Sequence, residues 1–149
     1  MKITINGHRV EQVRQFMYLG NVITEDCKCH EEVKCRIAIG KKASSKRGEL
    51  LREKIELELK IRIVKSLIWS TVLYTAETWT LRKVDIQQLE SFEMWIWKRL
   101  MKISRTEHRS NQEVMDMVDE NRSLINTIRR RQKHWLGHDI VLRSESYGA

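Results

Sequence analysis

Polar and apolar positions alternate at the start of the chain and then change period. Lys2-Ile3-Thr4-Ile5 and His8-Arg9-Val10 flank Asn6-Gly7. That pair suits a type I′ turn, so a β-hairpin is predicted there. Phe16-Met17-Tyr18-Leu19-Gly20 follows, rich in aromatic and β-forming residues, and predicts a strand over Phe16–Ile23. Beyond Thr24 the apolar period lengthens to three and four, the signature of helices. His30 to Lys54 carries Val33, Ile37, Ala38, Leu50 and Leu51, and Gly40, Ser44-Ser45 and Gly48 predict a break or kink. Glu56 to Thr78 reads as the central helix. Leu57, Ile61, Val64 and Ile68 share one face, and from Leu67 to Tyr74 apolar residues wrap nearly the whole circumference.

A third helix is predicted from Lys83 to Ser104, with Ile86, Leu89, Phe92, Ile96, Leu100 and Ile103 inward, Trp97 at the edge of that face and Trp95 outside it. Ser110-Asn111-Gln112-Glu113 is a capping box opening a short helix to Val118. A last helix runs from about Ser123 to Leu142, and Ser144–Ala149 reads as a frayed tail. Trp69 and Trp135 are expected to anchor helix packing. The fold class is therefore mainly α, a helical bundle with a small N-terminal β-hairpin plus strand.

Composition adds a partner class. With no proline and six glycines in 149 residues, little interrupts helices. Lys and Arg total 28 against 20 acidic residues, a net charge of +8, which points to a polyanion. A membrane fits less well, because the longest apolar run, Ser66 to Tyr74, is far below the ~20 residues that span a bilayer. MKITINGHRV has no apolar core of a secretory signal, and three cysteines suit free thiols. An intracellular setting, nuclear or cytoplasmic, is expected.

Four blocks, in order, resemble the reverse transcriptases of non-LTR (LINE-type) retrotransposons. Phe16-Met17-Tyr18-Leu19-Gly20 resembles the family's "FxYLG" strand at the end of the palm. Glu32-Val33-Lys34-Cys35-Arg36-Ile37-Ala38 resembles "EIKxRIA" in its first thumb helix. Leu73-Tyr74-Thr75-Ala76-Glu77-Thr78-Trp79 looks like "LYGAETW", with Thr75 in place of glycine. Ile128-Arg129-Arg130-Arg131-Gln132-Lys133-His134-Trp135-Leu136-Gly137-His138 looks like the start of "IRRRQxRWLGHVLR", and Asp139 to Arg143 departs from its ending.

The resemblance spans nearly the whole chain. It implies a primer-grip-like hairpin and strand over 1–24, a thumb-like bundle over 25–104 and a basic post-thumb region over 105–149. It also implies an RNA-directed DNA polymerase with an endonuclease, whose catalytic palm lies upstream as a missing partner and which would need magnesium.

Nucleotidyl transfer uses carboxylates that hold two metal ions about 3.5–4 Å apart. Asp26, Asp85, Asp116, Asp119 and Asp139 are scattered and form no Asp-Asp pair, so no catalytic residue and no cofactor are assigned to this chain. Cys27, Cys29, His30 and Cys35 have no second pair downstream, so no zinc site is expected. His134 and His138 share a helix face without an evident third ligand.

The expected site binds nucleic acid, an RNA or an RNA–DNA hybrid, by backbone contacts rather than base readout. Its residues are Lys34, Arg36, Lys41 and Lys42 in the first helical region and Arg129, Arg130, Arg131 and Lys133 in the last. By resemblance to the primer grip, Phe16, Tyr18 and Gly20 join them. Two other readings stand beside this one: a stand-alone helical interaction module using Met94, Trp95 and the cysteine-rich start around Cys27, Cys29 and Cys35, and a decayed retrotransposon relic without function.

Overall fold

The computed structural model describes residues 3–26, 28–120 and 124–146, with side chains of the last helix described to Gly137. Cys27, Ser123 and the end of the tail lie outside the described residues, as do the side chains of His138, Asp139, Leu142 and Arg143.

The chain is mainly α with two small antiparallel strand pairs at its N-terminus. The first pair is β1 (Thr4–Ile5) and β2 (His8–Arg9), joined by Asn6 and Gly7, both at positive φ (51° and 79°) as a type I′ turn requires. The predicted strand over Phe16–Ile23 is instead a second hairpin. β3 (Gln15–Tyr18) pairs with β4 (Asn21–Thr24), in register Phe16 to Ile23 and Met17 to Val22. Leu19 and Gly20 form its turn at φ 49° and 80°. The sequence signal was there in Gly20, but a bulky leucine in the left-handed region is uncommon, and it masked a second two-residue turn.

The first helical region breaks as expected, into α1 (His30–Lys46) and α2 (Gly48–Arg52). Gly40 has a second role beyond weakening the helix. A Cβ there would lie 2.4 Å from a Val72 methyl and 2.9 Å from the Phe92 ring. The missing side chain lets α1 press against two other helices at once.

The predicted central helix ends earlier than Thr78. α3 (Leu57–Ile63) widens into a π-helical segment (Val64–Trp69) and closes as α4 (Ser70–Val72). The Ser70 and Thr71 hydroxyls donate to the carbonyls of Ser66 (2.6 Å) and Leu67 (2.7 Å), satisfying acceptors in the widened turns. Thr75, at φ 62°, then turns the chain into a 3₁₀ turn (Ala76–Thr78). Thr75 stands where the family pattern has glycine, and its left-handed backbone is the physical reason a glycine suits that place. Val64, Ile68, Trp69, Val72 and Leu73 are buried, while Leu67 and Tyr74 reach the surface.

α5 (Lys83–Leu100) is the spine of the bundle. Leu89, Phe92, Ile96 and Leu100 are buried as predicted, and Trp97, placed at the edge of that face, is fully buried. Trp69 packs edge-on to Trp97 (5.4 Å) and tilted to Phe92 (6.0 Å), a geometry that suits aromatic quadrupoles. α6 (Asn111–Val118) begins with the expected box: Glu113 N–H donates to Ser110 Oγ (3.2 Å) and Ser110 N–H to Glu113 Oε2 (2.7 Å). α7 (Leu124–Ser146) packs Leu124, Ile125 and Ile128 into the core. Trp135, expected to anchor packing, is 48 % exposed, because α7 has by then run past the helices beneath it.

Candidate nucleic-acid interface

The blocks that carry the family resemblance meet in space. Arg36 donates from Nε to Glu32 Oε1 (2.7 Å) and from Nη2 to the Gly20 carbonyl (2.8 Å) and Asn21 Oδ1 (2.7 Å). Its guanidinium also lies 4.8 Å from the centre of the Tyr74 ring. Glu32 Oε2 accepts from Val22 N–H (2.6 Å), and Thr75 Oγ1 donates to Asn21 Oδ1 (2.9 Å). The fourth block closes the same region from α7. Arg131 donates to the Leu73 carbonyl (3.3 Å) and lies 3.7 Å from Glu77, and Gln132 Nε2 donates to the Trp79 carbonyl (2.8 Å). Hairpin, α1, the turn after α4 and α7 are thus tied at one knot around residues 73–79.

This knot re-sorts the expected site residues. Arg36 was expected to face nucleic acid, but it is only 7 % exposed and its Nε and Nη2 donors are bonded within the protein. A guanidinium buried against a carboxylate is not presented to a phosphate. Arg131 is half-buried and likewise engaged. Gly20 supplies a left-handed turn and a carbonyl for Arg36.

Phe16 and Tyr18 lie on one face of the second hairpin, rings stacked at 6.3 Å, and both stay more than half exposed (55 % and 56 %). Lys34, Lys41, Lys42, Arg129, Arg130 and Lys133 are exposed. Lys34 has a loose ion pair with Glu31 at 3.4 Å, and the other five have no ion pair among the described residues.

The structure adds Lys98, Arg99 and Arg105, which the sequence reading passed over, beside Lys41, which it named. Trp95 on α5 has Lys41 Nζ 5.7 Å and Arg99 Cζ 5.2 Å from its ring centre. With Lys98 and Arg105 it lines a surface hollow of about 920 Å³. Glu90 and Glu107 also line that hollow, and Glu107 pairs with Arg109 at 3.3 Å. The signal was legible in principle: Trp95, Lys98 and Arg99 are spaced i, i+3, i+4, which places both cations beside the ring on a helix.

The acidic residues serve the fold. Asp85 is buried, accepts from Arg82 N–H (2.9 Å) and meets His30 Nδ1 at 2.6 Å, which joins the starts of α1 and α5. Exposed Asp26 is held well below the usual carboxylate range by its bonds to Lys28 and Thr24. Glu93, buried in α5, accepts the Leu124 N–H on both oxygens (3.0 Å each) and so caps the start of α7, while burial pushes its carboxyl above the ordinary value.

Cys29 donates to the Thr80 carbonyl (3.1 Å), and desolvation raises its thiol. No group of three His, Cys, Asp or Glu among the described residues could hold a metal ion. No described helix is long and apolar enough to cross a membrane.

Comparisons with family models, with curated proteins and with solved structures return no match to this chain.

Proposed function

We propose that the chain works as a thumb-like nucleic-acid clamp, of the kind found in retrotransposon reverse transcriptases, that grips a template–primer duplex by its phosphates. The observation that carries the reading is the sorting of its cations. The buried guanidinium of Arg36 and the half-buried one of Arg131 secure the fold, while Lys41, Lys42, Arg129, Arg130 and Lys133 stand exposed with no carboxylate partner among the described residues. Unpaired surface cations on a chain of net charge +8 suit sequence-tolerant backbone binding. The order of the four sequence blocks supports the same reading.

The clamp holds nucleic acid and performs no bond chemistry of its own in this proposal. Binding of an RNA–DNA hybrid should weaken steeply with salt, each phosphate contact adding about 0.9 to the slope of log K against log salt. Fluorescence anisotropy with hybrids of unrelated sequence tests this directly. Similar affinities with a common salt slope are expected, and strong sequence preference or a flat salt response would refute the reading.

A further inference from the structure

A second hollow, about 560 Å³, lies between α1 and α5, within the size range of small-ligand sites (~300–1,000 Å³). Ile37, Phe92 and Trp95 give it an apolar, aromatic lining, and Phe92 and Trp95 are stacked with centres 6.3 Å apart and planes 21° from parallel. Lys34 and Lys41 line it from α1, and no carboxylate lines it. Gln88 lines it as well, and Gln88 Oε1 is buried without a hydrogen-bond partner. That oxygen has no accessible surface and Phe92 is only 2 % exposed, so an occupant of the hollow meets the partly exposed Trp95 ring and the two lysines.

A flat aromatic body and a negative charge are what these surfaces ask for together. We infer that the α1–α5 hollow takes one unpaired nucleotide of a nucleic-acid strand. The base lies against Trp95, and its phosphate lies between Lys34 and Lys41. Arg99 and Lys41 already neighbour the Trp95 ring, so the site combines stacking with charge, the combination used for single strands. This deepens the clamp reading and rests on it, adding an unpaired end or overhang to the duplex.

The test uses the full chain and three RNA–DNA hybrids: blunt, with a short adenine overhang, and with an abasic overhang of equal length. The adenine overhang should tighten binding about ten-fold over the blunt hybrid, the scale of one stacked base. The abasic overhang should recover little of that gain. Lys34→Gln removes a phosphate contact and should reduce the gain, and Trp95→Leu should abolish it, with thermal melts confirming that both variants fold.

Equal gain from the abasic overhang, or full gain in both folded variants, would overturn the inference while leaving backbone binding intact. An overhang gain without salt-dependent binding of the blunt hybrid would sink the clamp reading and keep the nucleotide site. Self-association abolished by Trp95→Leu would overturn it in favour of a protein occupant.

Discussion

Two arginines and a lysine show how differently like charges are used. Arg36 is buried in a pair with Glu32, so removing it strands a carboxylate inside the protein. Arg36→Ala should cost about 3–5 kcal/mol in denaturant unfolding, the usual penalty for breaking a buried pair. Where the variant remains folded, hybrid binding should change little. Lys41→Gln should do the opposite, leaving the melt unchanged and weakening binding, and Arg131→Gln should fall between the two.

Glu93 offers a test with a sign. Its folded carboxyl lies above the unfolded value of about 4.5, so the folded state holds the proton more tightly there. Stability from this group is present at low pH and is lost as pH rises from the unfolded value through the raised folded one. Glu93→Gln keeps an oxygen for Leu124 N–H and removes the charge. It should match the parent protein below pH 4 and exceed it at pH 7, measured by urea midpoints at both; equal midpoints at pH 7 would contradict the assignment.

At the scale of elements, Gly40 separates what the sequence displayed from what only packing reveals. As a helix breaker it was visible, yet α1 runs through it without a break. Its purpose is the crossing with Val72 and Phe92, and no one-dimensional pattern shows which helices will cross. Gly40→Ala gains helix propensity and should nonetheless destabilise the fold by about 1–3 kcal/mol through overpacking, as calorimetry can check.

Periodicity found α5 and the α6 box because their faces and caps are local. It merged α3, the π segment and the turn at Thr75 into one helix, because hydroxyl bonding and a left-handed threonine leave the apolar pattern unbroken. The second hairpin escaped for a related reason: alternation runs on through Leu19 and Gly20.

At the scale of the molecule, the net positive charge raised the expectation of a polyanionic partner, but the sequence could not divide the cations into those that hold the fold and those that face outward. Glu32 and Arg36 at i, i+4 hinted at an ion pair. Its burial beneath the second hairpin depends on contacts from residues 20, 21 and 74, far apart in the chain. The aromatic residues divide the same way. Trp69 and Trp97 belong to the core, Trp95 to a charged surface, and Phe16 and Tyr18 to an exposed hairpin.

The central claim is that the outward cations, and not the buried arginines, grip a phosphate backbone. It is tested most directly by the salt dependence of RNA–DNA hybrid binding for the parent chain and for the combined variant Lys34→Gln, Lys41→Gln, Lys42→Gln. The parent should show a steep negative log–log slope, and the variant, folded as judged by its melt, a slope shallower by about two to three, one phosphate contact per lysine removed. A variant with the parent's slope and affinity would contradict the account.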